Sequence, residues 1–376
     1  MKKISKALRL FSVIMSFVLA LAGCSGGSSS ASSNTNQPAA ATASNANESA
    51  PDETVYEMRL VLQHPETTQH GKNSLKFKEV VEKHTNGRVT VTLYPAGQLG
   101  GPDKEPQMVA SGSVEAMHTY NGTIISLVPE EMIYDIPFLF DVEPGDERLI
   151  KAVQGNALIN DAISAGAERA GFKTLGNAPT CYGVFVVANN KRPVQIPQDA
   201  AGLQIRLAAS EMLKIIIDSM GAAPVSIAAS EVPVGLSQGV FDGLVTTLAY
   251  YHDARWHTKY ITTNFATGGS YPIYVNLNWW NNLPQDLQDV IETQAMPELW
   301  EYCYEAVSPA EAEVVNLMQQ DPYNVEVTRF DMDDPAIKQW VEETQQKGID
   351  HFVGITGEVG QAMVDEVLKI RAELFG

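Results

Sequence analysis

The chain has 376 residues, 44% of them hydrophobic and 19% charged, which is material for two hydrophobic cores at about 150 residues per domain. Its 26 Lys and Arg face 45 Asp and Glu, a net charge of −19 at pH 7, which argues against nucleic acid or an anionic membrane face as partner. Three cysteines, Cys24, Cys181 and Cys303, are too few for a disulfide framework.

The amino terminus reads as a targeting segment. Lys2, Lys3, Lys6 and Arg9 precede an apolar run, Leu10–Leu21, that is too short for an ordinary membrane span. Leu21-Ala22-Gly23-Cys24 resembles the lipobox of bacterial lipoproteins, which implies cleavage after residue 23 and lipid attachment at Cys24. Residues 24–54, rich in Ser, Asn, Ala, Thr and Gly, hold too little apolar bulk to fold and read as a disordered, lipidated tether. Some thirty such residues would hold the folded part roughly 30 Å from a bilayer. Without the four basic residues of the leader, 22 Lys and Arg face 45 acidic residues, a net charge near −23. The protein is expected outside the cytoplasm, held to the cell membrane by a lipid anchor (on its periplasmic face where the cell has two membranes).

Tyr56, Met58, Leu60 and Leu62 alternate with polar neighbours and predict a half-buried strand, with Gln63-His64-Pro65 as a loop at its carboxyl end, bordering a crevice. Phe77, Val80, Val81 and His84 mark one face of a helix closed by Asn86-Gly87, and Val89, Val91 and Leu93 form the next strand. This β–α–β order predicts parallel pairing with a right-handed crossover. Pro102–Ser111 predicts a further helix, Val114–Met117 a strand and Gly155–Arg169 another helix. Lys173–Ala188 is strand-rich, and there the chain is expected to cross into a second domain.

Leu203–Leu207 predicts a short strand, and Ser210 can cap a helix whose apolar face is Leu213, Ile216, Ile217 and Met220, stopped by Gly221. Arg206 then sits at the carboxyl end of a strand just before a helix amino terminus, where open α/β folds place ligand crevices. A guanidinium there is a prepared receptor for a carboxylate. Tyr271–Leu277 predicts a return to the first domain. Gln285–Gln320 reads as a long helical region segmented by Pro297 and Pro309. Val359, Met363, Val367, Ile370 and Leu374 predict one core-facing stripe of a final helix.

Motifs for catalysis are missing: the chain has no G-x-S-x-G, H-E-x-x-H, C-x-x-C, Walker loop or G-x-G-x-x-G. Neither an enzyme, a metal site nor a cofactor is expected. With Cys24 lipidated, Cys181 and Cys303 are left either as a pair or as two buried thiols.

A resemblance rests on an ordered set of strings. DAAGLQIRLAAS (Asp199–Ser210), TNGRVTVTLYPAGQLGG (Thr85–Gly101), ASGSVEAM (Ala110–Met117), VPEEMIYDIPFLF (Val128–Phe140), GAAPVSIAASEV (Gly221–Val232) and LSQGVFDG (Leu236–Gly243) resemble landmarks of the DctP-like solute receptors of TRAP (tripartite ATP-independent periplasmic) transporters. The resemblance implies an α/β, two-domain fold of the periplasmic-binding-protein (Venus flytrap) kind, with a long kinked helix packing across both domains. The expected division is residues 55–182 and 272–308 for domain I and residues 183–271 and 309–376 for domain II.

It further implies a monomeric receptor that hands an organic acid to the integral-membrane permease subunits, with Arg206 clamping the carboxylate in two-pronged fashion. The sequence departs from the family pattern at several points. Tyr182-Gly183-Val184-Phe185-Val186 lacks a second arginine that many members carry there, Thr246 replaces an asparagine, and Ala209 and Ala229 stand where sialic-acid-binding members have larger or polar groups. The expected cleft has walls of Tyr120, Phe185 and Tyr250, with polar contacts from Gln63, Asn121 and Thr246. It suits a monocarboxylate with an apolar or aromatic body, or a 2-oxo acid, ahead of a C4-dicarboxylate. A receptor for an ABC importer or a sensor would share such a cleft, and a hydrolase is the most distant alternative.

Overall fold

The computed structural model describes residues 54–140, 146–180, 184–208, 210–266, 269–320 and 323–376. The leader, Cys24, the tether up to residue 53, Cys181, Tyr182, Gly183 and Ala209 lie outside the described residues.

The chain begins with β1 (Tyr56–Leu62), α1 (Gln69–His84), β2 (Val89–Tyr94), α2 (Glu105–Ala110) and β3 (Ala116–His118). Thr68 caps α1 by accepting the Gly71 N–H, and Asn86 and Gly87, both at positive φ, turn the chain into β2. A stretch of 3₁₀ turns over Pro129–Asp135 leads to α3 (Arg148–Gln154), α4 (Ala157–Arg169) and β4 (Phe172–Asn177). The chain then crosses to a second sheet with β5 (Val184–Asn189), β6 (Gln204–Leu207), α5 (Glu211–Ser219), β7 (Ala223–Ser226), α6 (Val232–Gln238), β8 (Gly243–Thr247), α7 (Leu248–Asp253) and β9 (Tyr260–Ala266). It returns with β10 (Pro272–Asn276), α8 (Leu277–Asn281), α9 (Gln285–Val290) and α10 (Met296–Met318), and closes with β11 (Glu326–Arg329) and α11 (Pro335–Phe375).

Two sheets result. The first has the order β2-β1-β3-β10-β4, with β1 parallel to both β2 and β3 and with β10 antiparallel to its neighbours. The second has the order β11-β9-β5-β8-β6-β7, in which β5 runs antiparallel to β8 and β9 while β6 lies parallel to β7 and β8. The expected β–α–β pairing is therefore present, and Lys173–Ala188 resolves into two strands, one in each sheet. Gly243 opens β8 where an added Cβ would lie 2.3 Å from the Ala188 carbonyl oxygen, so only glycine lets β5 and β8 approach there.

The period of two explains how each sheet is covered on both faces. On β1, Met58 and Leu60 join a core with Phe77, Val80 and Val81 of α1, whereas Val61 faces a different core with Met117 and Tyr274. On β5, Phe185 and Val187 pack with Leu213 and Ile217 of α5, and Val186 and Ala188 pack with Leu248 and Tyr251 of α7. Helix α10 spans the two sheets: Leu299 and Cys303 pack in the core under the first, Val314 and Met318 in a core of the second. At 23 residues it is about 35 Å long, enough to do so.

Two sequence expectations need correction. The long helical region is interrupted by a π turn at Ile291–Ala295; Pro297 sits in the first turn of α10, where its missing N–H is harmless, and Pro309 does not end the helix. Helix α11 breaks at Gly357 (φ 64°, ψ −141°). Beyond that break Met363, Val367 and Ile370 are buried, but Val359 is 50% and Leu374 36% exposed, so the stripe faces the core only over its middle. Its partners include Leu149 and Ile159, so residues after Gly357 pack on α3 and α4. Strands β7 and β11 are not among the expected elements, being too short and too polar for an alternation pattern to reveal them.

Candidate ligand-binding site

A cavity of about 1160 Å³ is lined by residues from both sheets. Arg206 reaches it from β6, immediately before the Ser210 cap of α5, whose Oγ accepts the Leu213 N–H at 3.2 Å. Strand alternation would send Arg206 outward with exposed Gln204, yet it is only 3% exposed. Its Nε donates to the Ile227 carbonyl at 2.7 Å, and its Cζ lies 6.0 Å from the centroid of the Trp256 ring. Burial draws its pKa down to about 10, so it stays charged at neutral pH; the groups that favour its charge are the Tyr250 and Tyr120 hydroxyls, not a carboxylate. A buried guanidinium without an acidic partner is costly to fold, and an incoming anion relieves that cost.

The rings nearest this cation are neutral, although Asp103, Glu211, Lys214 and Glu231 lie elsewhere on the wall. His64, at the end of β1, stacks on Tyr250 with ring centroids 4.1 Å apart. Burial, with Arg206 adding to it, lowers its pKa to about 3, so the imidazole is uncharged. Behind it stand His70, whose ring centroid is 4.8 Å from that of His64, and His118, at 4.1 Å from His70. Burial again holds both neutral, and His118 Nδ1 pairs with Ser74 Oγ at 2.7 Å. Among the described residues no group of His, Cys, Asp and Glu is arranged to hold a metal ion.

The structure places Gln63, Tyr120, Phe185, Thr246 and Tyr250 on the cavity wall with Arg206. Gln63 is anchored by donating from Nε2 to Thr119 and Thr123 Oγ1, and Tyr120 by donating to Asp135 Oδ2 at 2.6 Å. Asn121 does not line the cavity. It is fully buried, its Nδ2 donates to the Glu131 carbonyl at 3.1 Å and its Oδ1 accepts the Ser270 N–H at 3.3 Å, so it braces the backbone behind the wall. Tyr271 and His64 are wall residues that residue-type reasoning did not single out. Only the position of His64 in the loop after β1 pointed to it. Ala229 lies on the wall and leaves it small there. Cys303 is a buried free thiol, its pKa pushed well up by burial.

Residues 61–352 match the family model of bacterial extracellular solute-binding protein, family 7, the DctP family. The chain belongs to this family. It is an extracytoplasmic TRAP-type solute-binding protein, not an enzyme. The chain is 27% identical over 238 residues to the C4-dicarboxylate-binding periplasmic protein DctP of Rhodobacter capsulatus, covering 62% of this chain and 69% of that one. It is 23% identical over 293 residues to the ectoine-binding periplasmic protein TeaA of Halomonas elongata, covering 77% and 82%. In fold it is similar to a TRAP periplasmic solute-binding protein from Desulfovibrio salexigens with bound orotic acid (TM-score 0.75, 21% identity, 85% of this chain and 99% of that one). It is also similar to one from Sulfurospirillum deleyianum with bound succinate (TM-score 0.72, 23% identity, 84% and 99%). These neighbours have the two-domain fold of the family, and the span of α10 across both sheets accords with it. No helix among the described residues is long and apolar enough to cross a membrane.

Proposed function

We propose that this protein is a lipid-anchored receptor, tethered through Cys24, that captures an organic monocarboxylate in the cavity at Arg206 and delivers it to the membrane subunits of a TRAP transporter. The reading rests above all on one observation: Arg206 is a buried cation on the cavity wall with no acidic partner among the described residues. The two N–H-bearing edges of a guanidinium match the two oxygens of a carboxylate, and among the described residues only its Nε is bonded to the protein.

Residues 55–182 with 272–308 and residues 183–271 with 309–376 would act as the two lobes that close on the acid by a hinge motion, with the end of α11, beyond Gly357, lying against α3 and α4 of the first. The protein would work as a monomer.

The walls favour one carboxylate over two. Lys214, another cation on the wall, has a side chain 50% exposed and pairs with Glu211 at 3.7 Å. His64 is neutral and Phe185 and Tyr250 are aromatic. A second carboxylate would therefore be desolvated without a matching buried cation, at a cost of several kcal/mol. The neutral His64 imidazole and the Thr246 hydroxyl suit a 2-oxo group or an apolar body near the clamp. Titration calorimetry with pyruvate, phenylpyruvate, 2-oxoisocaproate, succinate and sialic acid tests this. Tight binding of one of the first three is expected, and tight binding of succinate or sialic acid alone would refute it.

A further inference from the structure

A second cavity, of about 530 Å³, shares no lining residue with the first. It is walled by α4, β4, α10 and the 3₁₀ stretch that carries Glu131 and Tyr134. Its size falls in the range of about 300–1,000 Å³ typical of small-ligand sites.

Its lining residues carry five buried polar atoms with no hydrogen bond among the described residues: Gln154 Nε2, Asn177 Nδ2, Trp300 Nε1, Glu131 Oε2 and Ser270 Oγ, the last two near enough for the hydroxyl to favour the ionised carboxylate. Buried polar groups are paired in the great majority of cases, so five unbonded ones around one cavity call for an explanation. Three of these side chains are held in place through their other polar atom. Gln154 Oε1 accepts the Tyr304 hydroxyl, Asn177 Oδ1 accepts the Tyr271 N–H at 2.5 Å, and Glu131 Oε1 accepts the Tyr274 hydroxyl at 2.6 Å. They are oriented by the fold and left with capacity to spare.

The charges at the cavity are already matched. Lys151 pairs with Glu147, and Lys173 pairs with Glu292 at 2.5 Å. Burial raises the Glu131 carboxyl to a pKa of about 7, where it can either donate or accept. Nothing in this arrangement calls for an ion. Three N–H donors and one carboxyl, with the rings of Tyr134, Trp300 and Tyr304 beside them, match a molecule whose groups both accept and donate and whose C–H faces can lie on aromatic rings. We propose that this cavity is a second binding site, for a small uncharged molecule bearing several hydroxyl groups.

Glycerol, erythritol and D-xylose titrated into the full chain, followed by saturation-transfer NMR, test the proposal. Saturable binding of at least one is expected. Trp300→Phe, which keeps the packing ring and removes only the N–H, and Gln154→Met should each weaken it about fivefold or more. Ser164→Phe, which fills the cavity from α4, should abolish it while thermal unfolding shows the variant folded. The proposal is overturned if none of the three polyols binds saturably, if binding survives Ser164→Phe, or if neither Trp300→Phe nor Gln154→Met weakens it; the cavity then serves ordered water only.

Discussion

The imidazole of His64 lies flat on the phenol ring of Tyr250, planes 8° apart, and the two come from opposite sides of the cavity. His64 lies in the loop just after the first strand of one sheet, and Tyr250 stands in α7, directly after β8 of the other. Two polar links join the same halves. The Gln69 N–H at the start of α1 donates to Asp253 Oδ2 at 2.8 Å, and Asp135 accepts from both Tyr120 and Ser210, the latter at 3.0 Å. The buried cation thus sits among neutral rings and hydroxyls that bind the lobes to each other. The acid and the contacts between lobes are expected to be coupled for that reason.

Removal of that cation should separate binding from folding. Arg206→Ala is expected to lower affinity for the bound carboxylate by two orders of magnitude or more, since a charge-assisted pair contributes about 1.5–3 kcal/mol per hydrogen bond. The ligand-free variant should unfold at the same temperature as the parent or higher, because an unpaired buried charge is gone. Calorimetry and thermal unfolding measure the two quantities. A variant that loses stability and keeps its affinity would place Arg206 in the scaffold and not in the site.

Stability should fall steeply only below about pH 4.5. Burial lowers His64 and His118 to a pKa of about 3 and His70 well below its ordinary value, so the unfolded chain takes up protons that the fold refuses. Their contribution is complete above about pH 6.5 and is lost as pH falls toward 3. Asp135, Glu131 and Glu105 act in the opposite direction. Burial raises them to about 6, 7 and 7, so their contribution is complete below the ordinary carboxyl range and is lost as pH rises through those values. Between about pH 4.5 and 6 the two sets offset each other; below that the histidines act alone. Among the described residues, neither ring nitrogen of His70 makes a well-formed hydrogen bond. His70→Phe should therefore stabilise the protein, and more at pH 4 than at pH 8, as read by chemical denaturation. An equal gain at both values would show that this histidine does not titrate on unfolding as argued.

Asp135→Ala should destabilise the protein by about 2–4 kcal/mol, because it leaves the buried Tyr120 hydroxyl without its acceptor and removes a partner of Ser210. Asp135→Asn, which retains an acceptor oxygen, should cost less than half as much. Urea unfolding decides between them. Equal losses would mean that the charge of the carboxylate, not its hydrogen bonds, is what the fold requires.

Where the sequence could be read correctly, the reason is periodicity or a short-range signal. β1, α1, β2 and α5 have clean two-fold or 3.6-fold patterns, with Ser210 as the cap of α5, and these survive in the structure. Arg206 could be located because strand end and helix start are both local. Its burial could not, since that depends on Ile227 and Trp256, which lie 21 and 50 residues downstream. The same limit hid the histidines: His64, His70 and His118 are scattered in sequence and meet only when β1, α1 and β3 assemble. Asn121 was misplaced for the converse reason. A polar residue beside a wall residue looks like a ligand contact until its amide is seen to be spent on Glu131 and Ser270.

Phe185 offers a way to change the selectivity of the cleft. It is 2% exposed, on β5, on the same wall as Arg206, and it packs against Leu213 and Val245. A guanidinium in its place would supply the second buried cation that a dicarboxylate needs, while removing apolar surface that a monocarboxylate body would cover. Phe185→Arg should raise affinity for succinate by about tenfold or more and weaken binding of the parent monocarboxylate by a similar factor, as measured by titration calorimetry. Loss of core packing should cost about 3–5 kcal/mol of stability, so the measurement belongs at low temperature with folding checked by circular dichroism. If the variant folds and its preference between one and two carboxylates does not move, the wall at Phe185 does not meet the ligand, and selectivity is set elsewhere around Arg206.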